Sequence, residues 1–166
     1  MQDGNSFLPW YNFPLIEFLN SYIMPSMNVF EYGCGFSTLF YAQKKCNVFT
    51  VETRTEWIDN TTKLGYQHGL IDKINIKLCN PHEILKQIFE YNIEFNIIVI
   101  DSLHRIECLK QTKEIYKKGI IILDNSEREN LQEAEQIMHE FESKVFQGEG
   151  VNRNGTSQSK VFFKSL

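Results

Sequence analysis

Three short stretches of this 166-residue chain hold the residue types that chemistry needs. The first is Glu31-Tyr32-Gly33-Cys34-Gly35-Phe36-Ser37-Thr38. Two glycines one residue apart let a backbone turn sharply and approach a ligand closely. A helix starting just after them points its free N–H groups at the same place. Glu52 ends the next apolar stretch, where a carboxylate can take both hydroxyls of a ribose. Glu31 would repel a pyrophosphate and suits a ligand with an ammonium group. The third glycine of a dinucleotide-binding turn is absent, since Thr38 stands there. The alternative is a tight turn with no ligand.

The second stretch is Asp101-Ser102-Leu103-His104-Arg105, after an apolar run. An imidazole titrates near neutral pH and can take a proton from a hydroxyl. His104 is the candidate base, with Asp101 assisting it. The alternative for Asp101 is a helix cap. The third is Asp124-Asn125-Ser126. Asp101, Asp124 and Asn125 offer hard oxygen ligands of the kind that Mg²⁺ or Ca²⁺ takes, if they meet. The alternative is a turn with Ser126 as a cap. Arg105, Arg128 and Arg153 can face an anionic substrate or simply be solvated. Trp10 and Tyr11 can cover a site or pack on the core, and packing is expected.

Alternating strand-like and helix-like segments must position these residues. Pro14–Met24 carries a wide apolar helical stripe that Pro25 ends. Asn28–Tyr32, Asn47–Glu52, Lys73–Leu78, Phe95–Ile100 and Ile120–Leu123 read as strands; the last two are apolar enough to be central and buried on both faces. Ser37–Lys45, Glu56–His68 and Leu103–Lys118 read as the helices between them. Asn80-Pro81-His82-Glu83 and Ser126-Glu127-Arg128-Glu129 read as the starts of two more. Lys144–Gln147 and Lys160–Lys164 form a final antiparallel pair, joined by a polar, Gly-rich loop over Gly148–Ser159 that is expected to act as a flap. The fold class is α/β: a Rossmann-like, doubly wound sheet, mostly parallel with a C-terminal antiparallel strand, in one domain over 1–166. In such a sheet ligands bind at the carboxyl ends of the strands, where the candidate residues lie.

With those residues in place, Phe30-Glu31-Tyr32-Gly33-Cys34-Gly35 resembles motif I of the class I S-adenosylmethionine-dependent methyltransferases, and Val51-Glu52 resembles their motif II acid. The wording around Gly35-Phe36-Ser37-Thr38-Leu39, Trp57, Ile100-Asp101-Ser102 and Leu123-Asp124-Asn125-Ser126 is similar to a bacterial subgroup acting on small molecules. The resemblance implies that Glu31, Gly33 and Gly35 hold the methionine end of the cofactor and Glu52 its ribose. Cys34, Ser37, Thr38 and Asp101 complete the cofactor set. Asn80 stands where many relatives place an acid against the adenine, and an amide oxygen can accept that hydrogen bond; its alternative is a helix cap. Asp101 with Asp124-Asn125 resembles the metal ligands of the catechol O-methyltransferase type, which makes Mg²⁺ a candidate second cofactor. His104 then falls where that type carries its basic catalytic residue, usually lysine.

The expected activity is O-methylation of a small hydroxylated acceptor such as a sugar, phenol or other metabolite. A cofactor-binding partner or regulatory subunit without catalysis is the alternative. An NAD-linked oxidoreductase is a third reading, disfavoured by Glu31 and the missing glycine. A net charge of −4 argues against a protein whose work is gripping a nucleic-acid backbone. No apolar run approaches the roughly 18–20 residues that span a membrane. Residues 1–6 lack the pattern of a signal peptide, and Cys34, Cys46, Cys79 and Cys108 lack zinc-ligand spacing. Reduced thiols in the cytoplasm are expected, and an oligomer is as open as a monomer.

Overall fold

The computed structural model describes residues 6–152 and 154–163. Arg153 and Lys164, both named above, lie outside the described residues. Seven strands form one sheet: β1 (Asn28–Tyr32), β2 (Asn47–Glu52), β3 (Ile74–Leu78), β4 (Ile97–Ile100), β5 (Ile120–Asp124), β6 (Glu142–Glu149) and β7 (Thr156–Phe163). Their order is β3-β2-β1-β4-β5-β7-β6. β1 to β5 pair in parallel, and β7 runs antiparallel to both β5 and β6. The strand order reverses between β1 and β4, so their carboxyl ends open the crevice in which ligands of doubly wound sheets bind.

β4 and, up to Asp124, β5 are apolar, and helices cover both of their faces. Ile97, Val99, Ile120 and Ile122 pack on one side with Leu15, Leu19, Phe40 and Tyr41. Ile98, Ile100, Ile121 and Leu123 pack on the other with Ile84, Ile88, Leu109 and Met138. The first side is supplied by α1 (Phe13–Tyr22) and α2 (Phe36–Gln43), the second by α4 (Arg105–Ile115), α5 (Ala134–Ile137) and a 3₁₀ segment over Ile84–Glu90. α3 (Thr55–Gln67) packs outside β2 and β3. Each such fully buried side chain is worth roughly 1.5–3 kcal/mol.

Asn12 ties the first helix to the sheet. Its Oδ1 accepts the Leu15 N–H at 3.0 Å as the cap, while its Nδ2 donates to the Phe146 carbonyl and the Ser159 hydroxyl, each at 3.1 Å. Trp10 and Tyr11, just before Asn12, lie beside Gly33, Glu52 and Asp101 at the carboxyl ends of the strands.

Three local expectations give way to long-range contacts. The segment opened by Asn80 is a turn followed by 3₁₀ structure, not an α-helix. Glu83 Oε2 does accept the Asn80 N–H at 3.3 Å, but no Asn80 side-chain cap accompanies it. Ser126 opens no helix either: its N–H donates to the Gln158 carbonyl at 3.0 Å and its hydroxyl accepts from Gln158 Nε2 at 3.0 Å. Half of Gly148–Ser159 is strand rather than flap. Gly148 pairs with Ser157 across the β6–β7 hairpin, leaving 150–155 as the connection. Gly148 is needed for closeness, since an added Cβ would lie 2.8 Å from Pro14.

Candidate functional site

The turn from β1 into α2 is built around Gly33. Its φ is +104°, and a Cβ there would lie 2.6 Å from the Asp101 carbonyl oxygen. Only glycine fits. Gly35 is different: its φ of 166° is extended and a Cβ would make ordinary contact with Trp57 at 3.6 Å. The second glycine is therefore not demanded by backbone geometry, contrary to the sequence argument.

Behind this turn Glu31 is completely buried. Its Oε2 accepts from the Thr38 hydroxyl at 2.6 Å, and the same Thr38 oxygen accepts the Gly35 N–H at 3.1 Å. Glu31 Oε1 has no hydrogen-bond partner among the described residues. Burial pushes this carboxyl up to about 7, with the Thr38 and Ser37 hydroxyls opposing the rise and the nearby Asp101 charge adding to it. Glu52, at the end of β2, is held by its own backbone. Oε1 accepts the N–H groups of Thr53 at 2.7 Å and Arg54 at 3.0 Å, and Oε2 accepts that of Cys34 at 3.3 Å.

Three adjoining clefts open at the carboxyl ends of β1 and β4, and Asp101 lines all of them. One of about 140 Å³ is walled by Gly33, Cys34, Gly35, Ser37, Glu52 and an aromatic group. In that group Trp10 stacks on Phe36 with ring centres 5.6 Å apart and meets Trp57 edge-on at 5.5 Å. A second cleft, about 210 Å³, runs past Gly33, Glu52, Pro81 and His104. A third, about 330 Å³, lies between Trp10, Arg105, Asp124, Asn125 and Arg128. Glu31 and Thr38 stand behind the turn and line none of the three. Asn80 is exposed and also lines none, although its neighbour Pro81 does. Tyr11 packs in the core as expected, whereas Trp10 stands where two clefts join.

Asp101, Asp124 and Asn125 do meet, but around an arginine. Arg105 Nη2 pairs with Asp101 Oδ1 and donates to Asn125 Oδ1 at 3.2 Å, while its Nε donates to the Asp124 carbonyl at 3.1 Å. Arg105 is 8% exposed, and its guanidinium takes the Asp101 and Asn125 oxygens that a divalent ion would need. These residues do not fit Mg²⁺, and among the described residues no cluster of three or more His, Cys, Asp or Glu side chains could hold a metal. The signal in the sequence was Arg105 itself, four residues after Asp101 at the start of a helix. Asp101 is not the helix cap; His104 takes that position.

Asp124 is nearly inaccessible, with its Oδ1 accepting from the Ser159 hydroxyl at 2.7 Å. Burial first, and then the Asp101 charge, push its carboxyl up to about 7. His104 is exposed and sits on the second cleft, which Asp124 does not line. The four cysteines are free and buried, and burial raises each thiol, Cys34 to about 12. No helix among the described residues is long and apolar enough to cross a membrane.

No family model and no curated protein matches the sequence. Solved structures match it closely in fold. A SAM-dependent O-methyltransferase from Thermotoga maritima superposes with a TM-score of 0.71 at 16% identity, over 92% of this chain and 63% of that one. The O-methyltransferase from Bacillus cereus in complex with SAH gives 0.66 at 20% identity, over 84% and 74%. The precorrin-6Y C5,15-methyltransferase from Geobacter metallireducens gives 0.71 at 11% identity, over 90% and 87%. The overall architecture, a mostly parallel sheet closed by an antiparallel pair, is thus shared with these proteins, and the chain has the class I S-adenosylmethionine-dependent methyltransferase fold.

Proposed function

We propose that the protein is an S-adenosylmethionine-dependent methyltransferase acting on a hydroxyl oxygen of a small acceptor. The observation that carries the reading is Glu31. A shielded carboxylate oxygen without a partner is costly, and a cation brought to the adjoining turn relieves it. The ammonium group of a methionine moiety supplies such a cation; a pyrophosphate would add repulsion. Glu52, already oriented by three N–H groups, keeps lone pairs free for a ribose hydroxyl. Gly33, Cys34, Gly35 and Ser37 would line the methionine end, and Asp101 the junction with the acceptor.

When bound, the cofactor supplies an electrophilic methyl group. The chain's own task is to align an acceptor oxygen and take its proton, so positioning is much of the work. We assign the proton to Asp124, which faces the 330 Å³ cleft and titrates near neutral pH. Arg105 fixes Asp101 and Asn125 beside it. His104, the base expected from sequence, keeps a proposed role at the lip of the second cleft. Two structural neighbours named as O-methyltransferases support oxygen as the receiving atom.

The test is calorimetry with S-adenosylhomocysteine and NADH, followed by mass spectrometry of hydroxylated compounds incubated with the protein and S-adenosylmethionine. Binding of the first ligand alone, with methylated product, is expected. NADH binding without S-adenosylhomocysteine binding would end the reading. Cofactor binding without turnover of any compound would favour a non-catalytic partner.

A further inference from the structure

Two guanidinium groups converge on one neutral oxygen at the third cleft. Arg105 Nη2 and Arg128 Nη2 lie 3.2 and 2.9 Å from Asn125 Oδ1. Asn125 holds this position with a left-handed φ of +53°, a conformation that asparagine tolerates better than most residues. Arg105 is balanced by Asp101. Arg128 is exposed and has no carboxylate within ion-pair distance among the described residues. Its sequence neighbour Glu127 is engaged elsewhere, with Oε2 accepting the Gln158 N–H at 3.2 Å, and Asp124 on the same cleft takes the Ser159 hydroxyl on Oδ1. The cleft thus presents a guanidinium with no carboxylate paired to it, with Asp101, Asp124, the Trp10 ring and the Asn152 amide on its other walls.

We propose that the methyl acceptor carries an oxyanion group, a carboxylate or a phosphate, which docks on Arg128 in the third cleft with its reactive hydroxyl turned toward Asp124. The word acceptor rests on the methyltransferase reading; the anion site does not. A planar guanidinium matches a carboxylate or phosphate with two parallel N–H···O bonds, and these charge-assisted bonds are about twice as strong as neutral ones. A neutral hydroxylated compound of the same shape leaves Arg128 unanswered. The cleft volume, about 330 Å³, admits one ring with its charged substituent.

The experiment compares matched pairs by calorimetry, with and without saturating S-adenosylhomocysteine: 3-hydroxybenzoate against 3-hydroxybenzamide, and glucose 6-phosphate against glucose. The charged member of at least one pair should bind about tenfold more tightly than its neutral twin, and the pair that responds tells carboxylate from phosphate. Arg128→Gln should bring that preference close to unity, and Arg128→Lys should keep part of it. Neutral twins that bind as tightly, no binding by any charged member, or a preference that survives Arg128→Gln would each overturn the proposal. Charged ligands that depend on Arg128 while S-adenosylhomocysteine fails to bind would instead remove the methyltransferase reading and leave the anion site standing.

Discussion

Replacing Glu31 with glutamine separates what this carboxyl costs the fold from what it gives the ligand. The native carboxyl titrates at about 7 against an ordinary 4.5. Below pH 4.5 it is protonated in both the folded and unfolded chain. As pH rises the unfolded chain ionises first and gains, and the loss of stability is complete once the pH passes about 7. Working the linkage between pH 5 and pH 8 gives a loss on the order of 2–3 kcal/mol from this one group. The Glu31→Gln variant keeps an oxygen to accept from Thr38 and has no proton to exchange. Urea unfolding at the two pH values should therefore show the wild type losing on the order of 2–3 kcal/mol more than the variant over that interval. In the same preparations the variant should bind S-adenosylhomocysteine more weakly, by roughly 1.5–3 kcal/mol for a lost charged hydrogen bond. Wild-type binding at pH 6 should also release protons, read from the dependence of the heat on buffer ionisation. Equal pH dependence in the two proteins, together with equal affinity, would refute both the burial argument and the ammonium-binding role.

Methyl transfer should rise with pH through a limb near 7, where Asp124 loses its proton; Asp124→Asn should lower kcat by roughly 10²–10⁴-fold and abolish the limb, while His104→Gln keeps it. Ser159 lowers the Asp124 pKa through its hydrogen bond, so Ser159→Ala should move the limb to higher pH in the same rate profile. Excess EDTA should leave activity unchanged, and Mn²⁺ should show no binding by electron paramagnetic resonance, because the Arg105 guanidinium already occupies Asp101 Oδ1 and Asn125 Oδ1. Gly33→Ala should destabilise the fold by about 2–5 kcal/mol in urea, from the positive φ and the Asp101 carbonyl, whereas Gly35→Ala should cost about 1 kcal/mol or less.

The architecture was legible because its signals are local. The apolar run Ile97–Ile100 suits a short strand covered on both faces, and Glu52 and Asp101 stand at strand ends, at the polar edge where a crevice must open. The polar stretch from Gly148 to Ser159 misled for the opposite reason. Its glycines and serines resemble a loop until β5 and β6 are placed on either side, where Ser157 and Ser159 become buried strand residues. The capping pattern at Ser126 was outcompeted by Gln158, a partner that no local window contains. In the candidate site, residue types suggested a metal because two acids and an amide share its chemistry. Which cation they enclose depends on the rotamer of Arg105, and that is set by tertiary packing against β5.

The Asn12–Ser159–Asp124 chain has a direction as well as a place. Asn12 gives its amide protons to Phe146 and Ser159, so the serine hydroxyl is left to donate onward to Asp124 Oδ1. An oxygen that is already receiving a proton from Ser159 is a poor landing place for a second. A proton arriving from a substrate must settle on the other carboxylate oxygen, Oδ2. The cap of the first helix, far from the site in sequence, thereby dictates which lone pairs of the carboxylate are basic, and from which side an acidic hydroxyl can approach.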